Sequence, residues 1–228
     1  MDKKKAVVLL SGGIDSATTA ALAISRGFEL SALVFRYGQR HGVEVRSAEK
    51  LVRFFGISDH AVIDIPAGLF RSALTDRSIA VPKNRDSAET DIPATYVPAR
   101  NILFLTYGLA YAESIGARSI FIGATAVDYS GYPDCRPEFF AAYQEMANRG
   151  TKAGIEGDPF IIETPLITMS KSEIIRTGAR LGVDFALTHS CYDPDRSGRA
   201  CGACDSCRIR KRGFAEAGVA DPTIYRAG

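Results

Sequence analysis

The sequence predicts an α/β domain, a parallel sheet covered by helices on both faces, with a small C-terminal metal-binding segment. Short apolar, strand-like runs alternate with longer runs of helical periodicity between residues 6 and 181. The first of them, Ala6-Val7-Val8-Leu9-Leu10, feeds a glycine turn that opens directly into an Ala-rich helical segment. Four of the five cysteines are crowded at Cys191, Cys201, Cys204 and Cys207. The domain division that follows is residues 1–186 for the α/β domain and 187–228 for a four-cysteine segment packed on it.

The elements follow in order. Residues 6–10 read as a strand and 15–26 as a helix; Leu30 to Phe35 is a second strand. His41 to Phe55 carries apolar residues at helical spacing and stops at Gly56. His60 to Ile65 is a third strand. Asn101 to Ile115 is a long apolar helix ended by Gly116, and Ser119 to Ile122 a strand ended by Gly123. Pro137 to Ala147 reads as a helix, Phe160 to Glu163 as a short strand and Ser170 to Leu181 as a helix. Residues 66–98 are weakly periodic, and a connection of this length is expected to be a partly ordered lid or an oligomer contact. In a parallel sheet, ligands bind outside the carboxyl ends of the strands, where the loop after the first strand lies.

Bulk properties exclude several classes. The chain has 228 residues, 46% of them hydrophobic, enough for one sizeable core. A net charge of +2 does not mark a nucleic-acid binder. Met-Asp-Lys-Lys-Lys precedes an apolar run of only five residues, too short for a signal peptide, and no stretch is long enough to span a membrane. The expected compartment is the cytoplasm.

Leu10, Ser11, Gly12, Gly13, Ile14, Asp15, Ser16, Ala17, Thr18, Thr19 and Ala20 form a strand end, a turn and a helix start. Backbone N–H groups, two serine hydroxyls and a carboxylate at a helix N-terminus suit a phosphate. The kinase and GTPase loop needs four residues between its glycines and a Lys-Ser/Thr pair after them. Here the glycines are adjacent and Asp15 follows. The dinucleotide fingerprint fails for want of its third glycine.

Cys201-Gly202-Ala203-Cys204-Asp205-Ser206-Cys207 contains two overlapping C-x2-C steps. With Cys191 they supply four sulfurs, a closed tetrahedral shell suited to one structural Zn2+ per chain. Disulfides are the alternative for an oxidising compartment, and an iron–sulfur cluster is a second. His189 is a bystander to the four thiols. Arg208, Arg210, Lys211 and Arg212 read as a solvated stripe on a terminal helix.

Ser11 to Ala17 resembles the SGGxDS pattern of the PP-loop ATP pyrophosphatases, which cut ATP between the α and β phosphates and adenylate an oxygen of a second substrate. Further segments narrow this. They are Tyr37-Gly38-Gln39-Arg40-His41, Tyr96-Val97-Pro98-Ala99-Arg100-Asn101, Asp128 to Arg136 (Asp-Tyr-Ser-Gly-Tyr-Pro-Asp-Cys-Arg), Thr164-Pro165-Leu166 and Ser170-Lys171-Ser172-Glu173-Ile174. Together with the cysteine tail they closely resemble the QueC family, the 7-cyano-7-deazaguanine synthases of queuosine biosynthesis, over nearly the whole chain. Gly123-Ala124-Thr125 departs from the family, where many members have a bulkier residue and then Asn, and His189 stands where many carry Trp.

The resemblance implies a Rossmann-like fold of the adenine nucleotide alpha hydrolase type. It implies a ligase acting on 7-carboxy-7-deazaguanine, ammonia and ATP with Mg2+, and a homodimer. A carboxylate is a poor electrophile, so AMP transfer makes its oxygen a leaving group and ammonia gives an amide. A second ATP then activates the amide oxygen for dehydration to the nitrile. Gly12, Gly13, Ser11 and Ser16 are expected on the phosphates, Asp15 on Mg2+, and Lys171 and Arg100 on developing charge. Asp128, Tyr132, Asp134 and Arg136 are candidates for the deazaguanine pocket, with Tyr37 and Gln39 against nucleotide or base. Cys135 is expected to have a neutral packing or pocket role, since no covalent step is required. The chain has no room for a glutaminase domain, so free ammonia is the expected nitrogen donor. The competing readings are a tRNA-modifying thiolase, which needs a reactive cysteine, and a non-catalytic nucleotide- or RNA-binding zinc protein.

Overall fold

The computed structural model describes residues 4–83, 92–127 and 132–226. Its elements are β1 (Lys4–Leu9), α1 (Ile14–Ser25), β2 (Phe28–Arg36), α2 (Val43–Phe54), β3 (Asp59–Asp64), α3 (Arg100–Ile115), β4 (Ser119–Ile122), α4 (Pro137–Gly150), the single turn α5 (Lys152–Ile155), β5 (Ile161–Glu163), α6 (Lys171–Arg180) and α7 (Asp205–Ala217). The five strands are all parallel in the order β3-β2-β1-β4-β5. The chain moves outward from β1 through β2 to β3, then returns to the other side of β1 as β4. The loops leaving β1 and β4 therefore diverge, and a crevice opens at their carboxyl ends.

Period-2 alternation builds the core. Val7 and Leu9 of β1 join Leu33, Phe35, Ile120 and Ile122 on one face, under Leu105 and Leu109 of α3 and Phe140 and Tyr143 of α4. Ala6 and Val8 join Ala32, Val34 and Phe121 on the other, under α1, α2 and α6. Both faces are covered, so the strands are apolar on both sides, as parallel sheets require. α1 contributes Ala17, Ala20, Ala21 and Ala23, whose small side chains let it lie close to the sheet.

Most expected elements are present, with shifted ends. The helix expected from His41 begins at Val43, because Gly38 takes φ +80° in a turn and Gly42 precedes the helix. α4 runs on from the expected Ala147 to Gly150. α3 ends at Gly116, which takes the left-handed conformation and donates back to the helix. α6 carries a capping box: the Glu173 N–H donates to Ser170 Oγ and the Ser170 N–H to Glu173 Oε2. The described parts of 66–98 form no named helix or strand, yet they are packed. Phe70, Leu74 and Val97 join the core above β2, and Ala73 and Val81 sit against the cysteines.

One expectation for the tail is corrected. Arg208, Lys211 and Arg212 are exposed, but Arg210 is 2% exposed. It lies on the same side of α7 as Cys207, Gly213 and Phe214, which is the buried side. Among the described residues, no helix is long and apolar enough to cross a membrane.

Candidate active site

The crevice is lined by the loop after β1, the ends of β2 and β4, and the starts of α3, α6 and α7. Leu10, Ser11, Gly13, Ile14, Asp15 and Ser16 all face it. The loop is braced from within: Ser16 Oγ accepts from the Ser11 N–H at 3.2 Å and donates to Gly13 O at 3.1 Å. No side chain caps α1, which leaves its first-turn N–H groups to a ligand. Gly12 does not line the crevice. It takes φ +85°, and a Cβ there would lie 2.4 Å from Glu44 O, so only glycine lets the loop sit against α2. Ala17, Thr18, Thr19 and Ala20 are fully buried and also lie away from it, because past its first turn α1 is packed between the sheet and neighbouring helices, Thr18 lying against Gly178 of α6.

Asp15 and Lys171 meet across the crevice. Lys171 Nζ donates to both carboxylate oxygens of Asp15, at 2.6 and 2.8 Å. The lysine side chain is 9% exposed and the aspartate 26%. Lys171 is therefore no surface residue, although it opens a helix.

The facing wall is built around Arg100. Ala99, just before it, takes φ +54°, the one non-glycine left-handed residue among those described. This turn starts α3 and sets Arg100 over the Phe104 ring, 5.9 Å from its centroid. Tyr37 lies beside the guanidinium, and burial pushes its phenol up to about 12. Burial works against the charge on Arg100, but the surrounding Tyr37, Tyr132, Asp134 and Cys135 outweigh it and raise its basicity. Gln39 lines the crevice with both ends of its amide engaged: Oε1 accepts from the Tyr37 N–H at 2.8 Å, and Nε2 donates to Phe35 O at 3.1 Å. It closes the turn after β2.

Two residues outside the expected set belong to this wall. Glu44, in the first turn of α2, is pushed up to about 7 by burial, with Arg100 opposing the shift. Its signal in the sequence is its place three residues after His41, on a helix start that follows a strand end. Asn101 lines the crevice and donates from Nδ2 to Asp134 O at 2.9 Å and to Cys135 Sγ at 3.4 Å.

The Asp128–Arg136 segment divides. Tyr132 lines the crevice, its hydroxyl 2.8 Å from Thr95 Oγ1. Asp134 is buried away from it: its Oδ2 accepts from the Asn101 N–H at 3.2 Å, which satisfies the start of α3. Arg136 is exposed on the far side of the same turn. Asp128 lies outside the described residues. Cys135 faces the crevice, but burial and then the Asp134 charge push its thiol up to about 11, the reverse of an activated nucleophile.

A family model for "Queuosine biosynthesis protein QueC" matches residues 5–218. The chain belongs to the QueC family. The 7-cyano-7-deazaguanine synthase of Dechloromonas aromatica is 59% identical over 225 residues, covering 98% of this chain and 99% of that one. That of Legionella pneumophila strain Paris is 58% identical, covering 98% and 97%. A 4-thiouridine synthetase–RNA complex with bound ATP shares the fold, with a TM-score of 0.53 at 17% identity, covering 94% of this chain and 50% of that one.

In this QueC-family chain the tail cysteines converge. The sulfurs of Cys191, Cys201, Cys204 and Cys207 all lie within 4.8 Å of one another, and all four residues are buried. Backbone N–H groups aim at them: Cys201 N–H donates to Cys191 Sγ at 3.1 Å and Cys204 N–H to Cys201 Sγ at 3.3 Å. Hydrogen bonds from Cys191 and Cys207 pull Cys204 far below the ordinary thiol range. Four converging sulfurs already supplied with N–H donors fit a metal ion. His189 is not among these ligands. The residue lines the crevice, and its backbone N–H donates to Gly12 O at 2.8 Å.

Proposed function

We propose that this chain converts 7-carboxy-7-deazaguanine to 7-cyano-7-deazaguanine by adenylating first the carboxylate and then the amide, with free ammonia as nitrogen donor. The observation that carries the reading is the Asp15–Lys171 pair, set at the mouth of an uncapped helix start and facing Arg100 across one crevice.

The loop N–H groups, Ser11 and Ser16 hold the β and γ phosphates. Lys171 neutralises charge as pyrophosphate departs and the substrate oxygen bonds to the α phosphorus. Ammonia then adds to the acyl carbon, AMP leaves with that oxygen, and one proton is released. In the second round the amide oxygen takes AMP, and loss of AMP and the remaining N–H protons leaves the nitrile. Arg100 holds the anionic substrate for the first round.

Asp15 would hold a Mg2+ brought with ATP, and Mg2+ bound there would neutralise charge on the departing pyrophosphate. The four cysteines hold a structural Zn2+. Glu44 joins Asp128 as a candidate for the base and replaces Asp134, since its carboxylate lies in the crevice and can accept from the N1–H and 2-amino edge of the base. A homodimer and a cytoplasmic location complete the reading. A sulfur-transferring alternative would need a reactive thiol, and the Cys135 thiol is pushed up to about 11.

The test is mass spectrometry of a reaction containing the protein, 7-carboxy-7-deazaguanine, ammonium and Mg-ATP. The nitrile with two AMP per product is expected. Absence of nitrile from folded protein sinks the proposal.

A further inference from the structure

Gly213 has no side chain at the point where α7 crosses the stem of Lys171. A Cβ at Gly213 would lie 2.5 Å from Lys171 Cγ, 3.0 Å from Lys171 Cβ and 3.0 Å from Ile175 Cδ1. The first of these is closer than carbon atoms approach without something moving. The lysine stem therefore rests on the backbone of α7, while its Nζ reaches Asp15.

α7 is itself held in place from two directions. Cys204 precedes its first residue and Cys207 lies in its first turn, so two of the four clustered sulfurs belong to its start. Three residues further on, Arg210 donates to Thr188 Oγ1 at 2.9 Å, to Ser190 Oγ at 3.4 Å and to Phe185 O at 3.3 Å. Between Thr188 and Ser190, the His189 N–H donates to Gly12 O. One rigid helix thus touches both sides of the candidate nucleotide site: the lysine through Gly213, and the glycine loop through the 188–190 segment.

We propose that Gly213 is a positioning residue for the ATP chemistry, setting where Lys171 Nζ stands relative to Asp15 and the phosphates. The inference rests on the nucleotide reading of the loop. A glycine kept only for helix architecture would behave in the opposite way, because alanine is the better helix former. A purely structural Gly213→Ala change would leave nucleotide binding untouched and hold or raise the melting temperature.

The test is calorimetric titration of the full-length, metal-loaded protein with Mg2+ and α,β-methylene-ATP, a non-cleavable analogue. Wild type, Gly213→Ala, Lys171→Ala and the double variant are compared, with metal content and melting temperature measured alongside. Gly213→Ala should keep its metal and its melting temperature yet bind the analogue about tenfold more weakly. In the Lys171→Ala background the same change should weaken analogue binding no further, since the Cγ at 2.5 Å is gone and the Cβ that remains carries no ammonium to displace. Wild-type affinity in Gly213→Ala, or an equal loss in both backgrounds, overturns the proposal. Folded wild type that binds no analogue defeats the nucleotide reading instead.

Discussion

Lys171 Nζ bridges both carboxylate oxygens of Asp15, at 2.6 and 2.8 Å, although the two residues lie 156 positions apart. Asp15 sits in the first turn of α1 and Lys171 in the first turn of α6, and α6 packs beside α1 on one face of the sheet. Each charge makes the other tolerable in a partly closed site. Asp15→Ala should abolish AMP formation while fold and metal content survive. Lys171→Met should lower turnover by orders of magnitude. Chromatographic AMP release, circular dichroism and metal analysis check both, and normal AMP release from Asp15→Ala would remove the pair from the chemistry.

Glu44 should set recognition of the base. Its carboxyl titrates near 7, and only the ionised form accepts from two donors. The KM for the base should therefore fall as pH rises through about 7, with the KM for ATP unaffected. Glu44→Gln should raise the KM for the base and flatten that pH profile. It should also discriminate less than wild type against an analogue lacking the 2-amino group. The folded-state value lies above the ordinary 4.5, so this group's contribution to stability falls as pH rises from about 4.5 to about 7, and Glu44→Gln should remove that slope from a series of melting curves. Unchanged discrimination in Glu44→Gln would return the role to another residue.

Cys204→Ala should lower metal content and solubility together. Cys204 is fully buried, belongs to the four-sulfur cluster and precedes the first residue of α7. Loss of one ligand opens the shell and frees the start of that helix. Elemental analysis and a solubility assay suffice, and a variant with full metal and unchanged solubility would rule out a structural centre.

Arg210→Ala should destabilise the protein strongly. Arg210 is 2% exposed, pairs with Asp221 at 3.0 Å and lies 4.9 Å from the Phe214 ring centroid. Truncating one partner of a buried pair costs about 3–5 kcal/mol because the other charge is left uncompensated. Denaturant unfolding measures it, and a loss below about 1 kcal/mol, the range of an exposed ion pair, would contradict the buried geometry.

How much was legible beforehand depended on the range of the signal. The strand–glycine–helix run from Ala6 to Ala20 is local: alternation, turn chemistry and helix start are all written in neighbouring residues. The same holds for Gly116 ending α3 and for the C-x2-C steps. Asp134 looked like a pocket carboxylate because its segment is rich in functional residue types, yet its Oδ2 serves the N-terminal turn of α3. Arg210 looked like one more cation in a basic run, and only the packing side of α7 separates it from Arg208 and Lys211. The Glu44 carboxylate becomes notable only through burial beside Arg100.

By itself, the sequence determined the parallel α/β class, the phosphate loop, the cysteine tail and the family, since these rest on periodicity and on motifs of contiguous residues. The tertiary structure decided which distant residues meet: Lys171 with Asp15, Gly213 beneath Lys171, Glu44 beside Arg100. The physical reason is that charge pairing, desolvation and close backbone approach depend on distances of a few ångströms between elements, and spacing along the chain does not encode those distances.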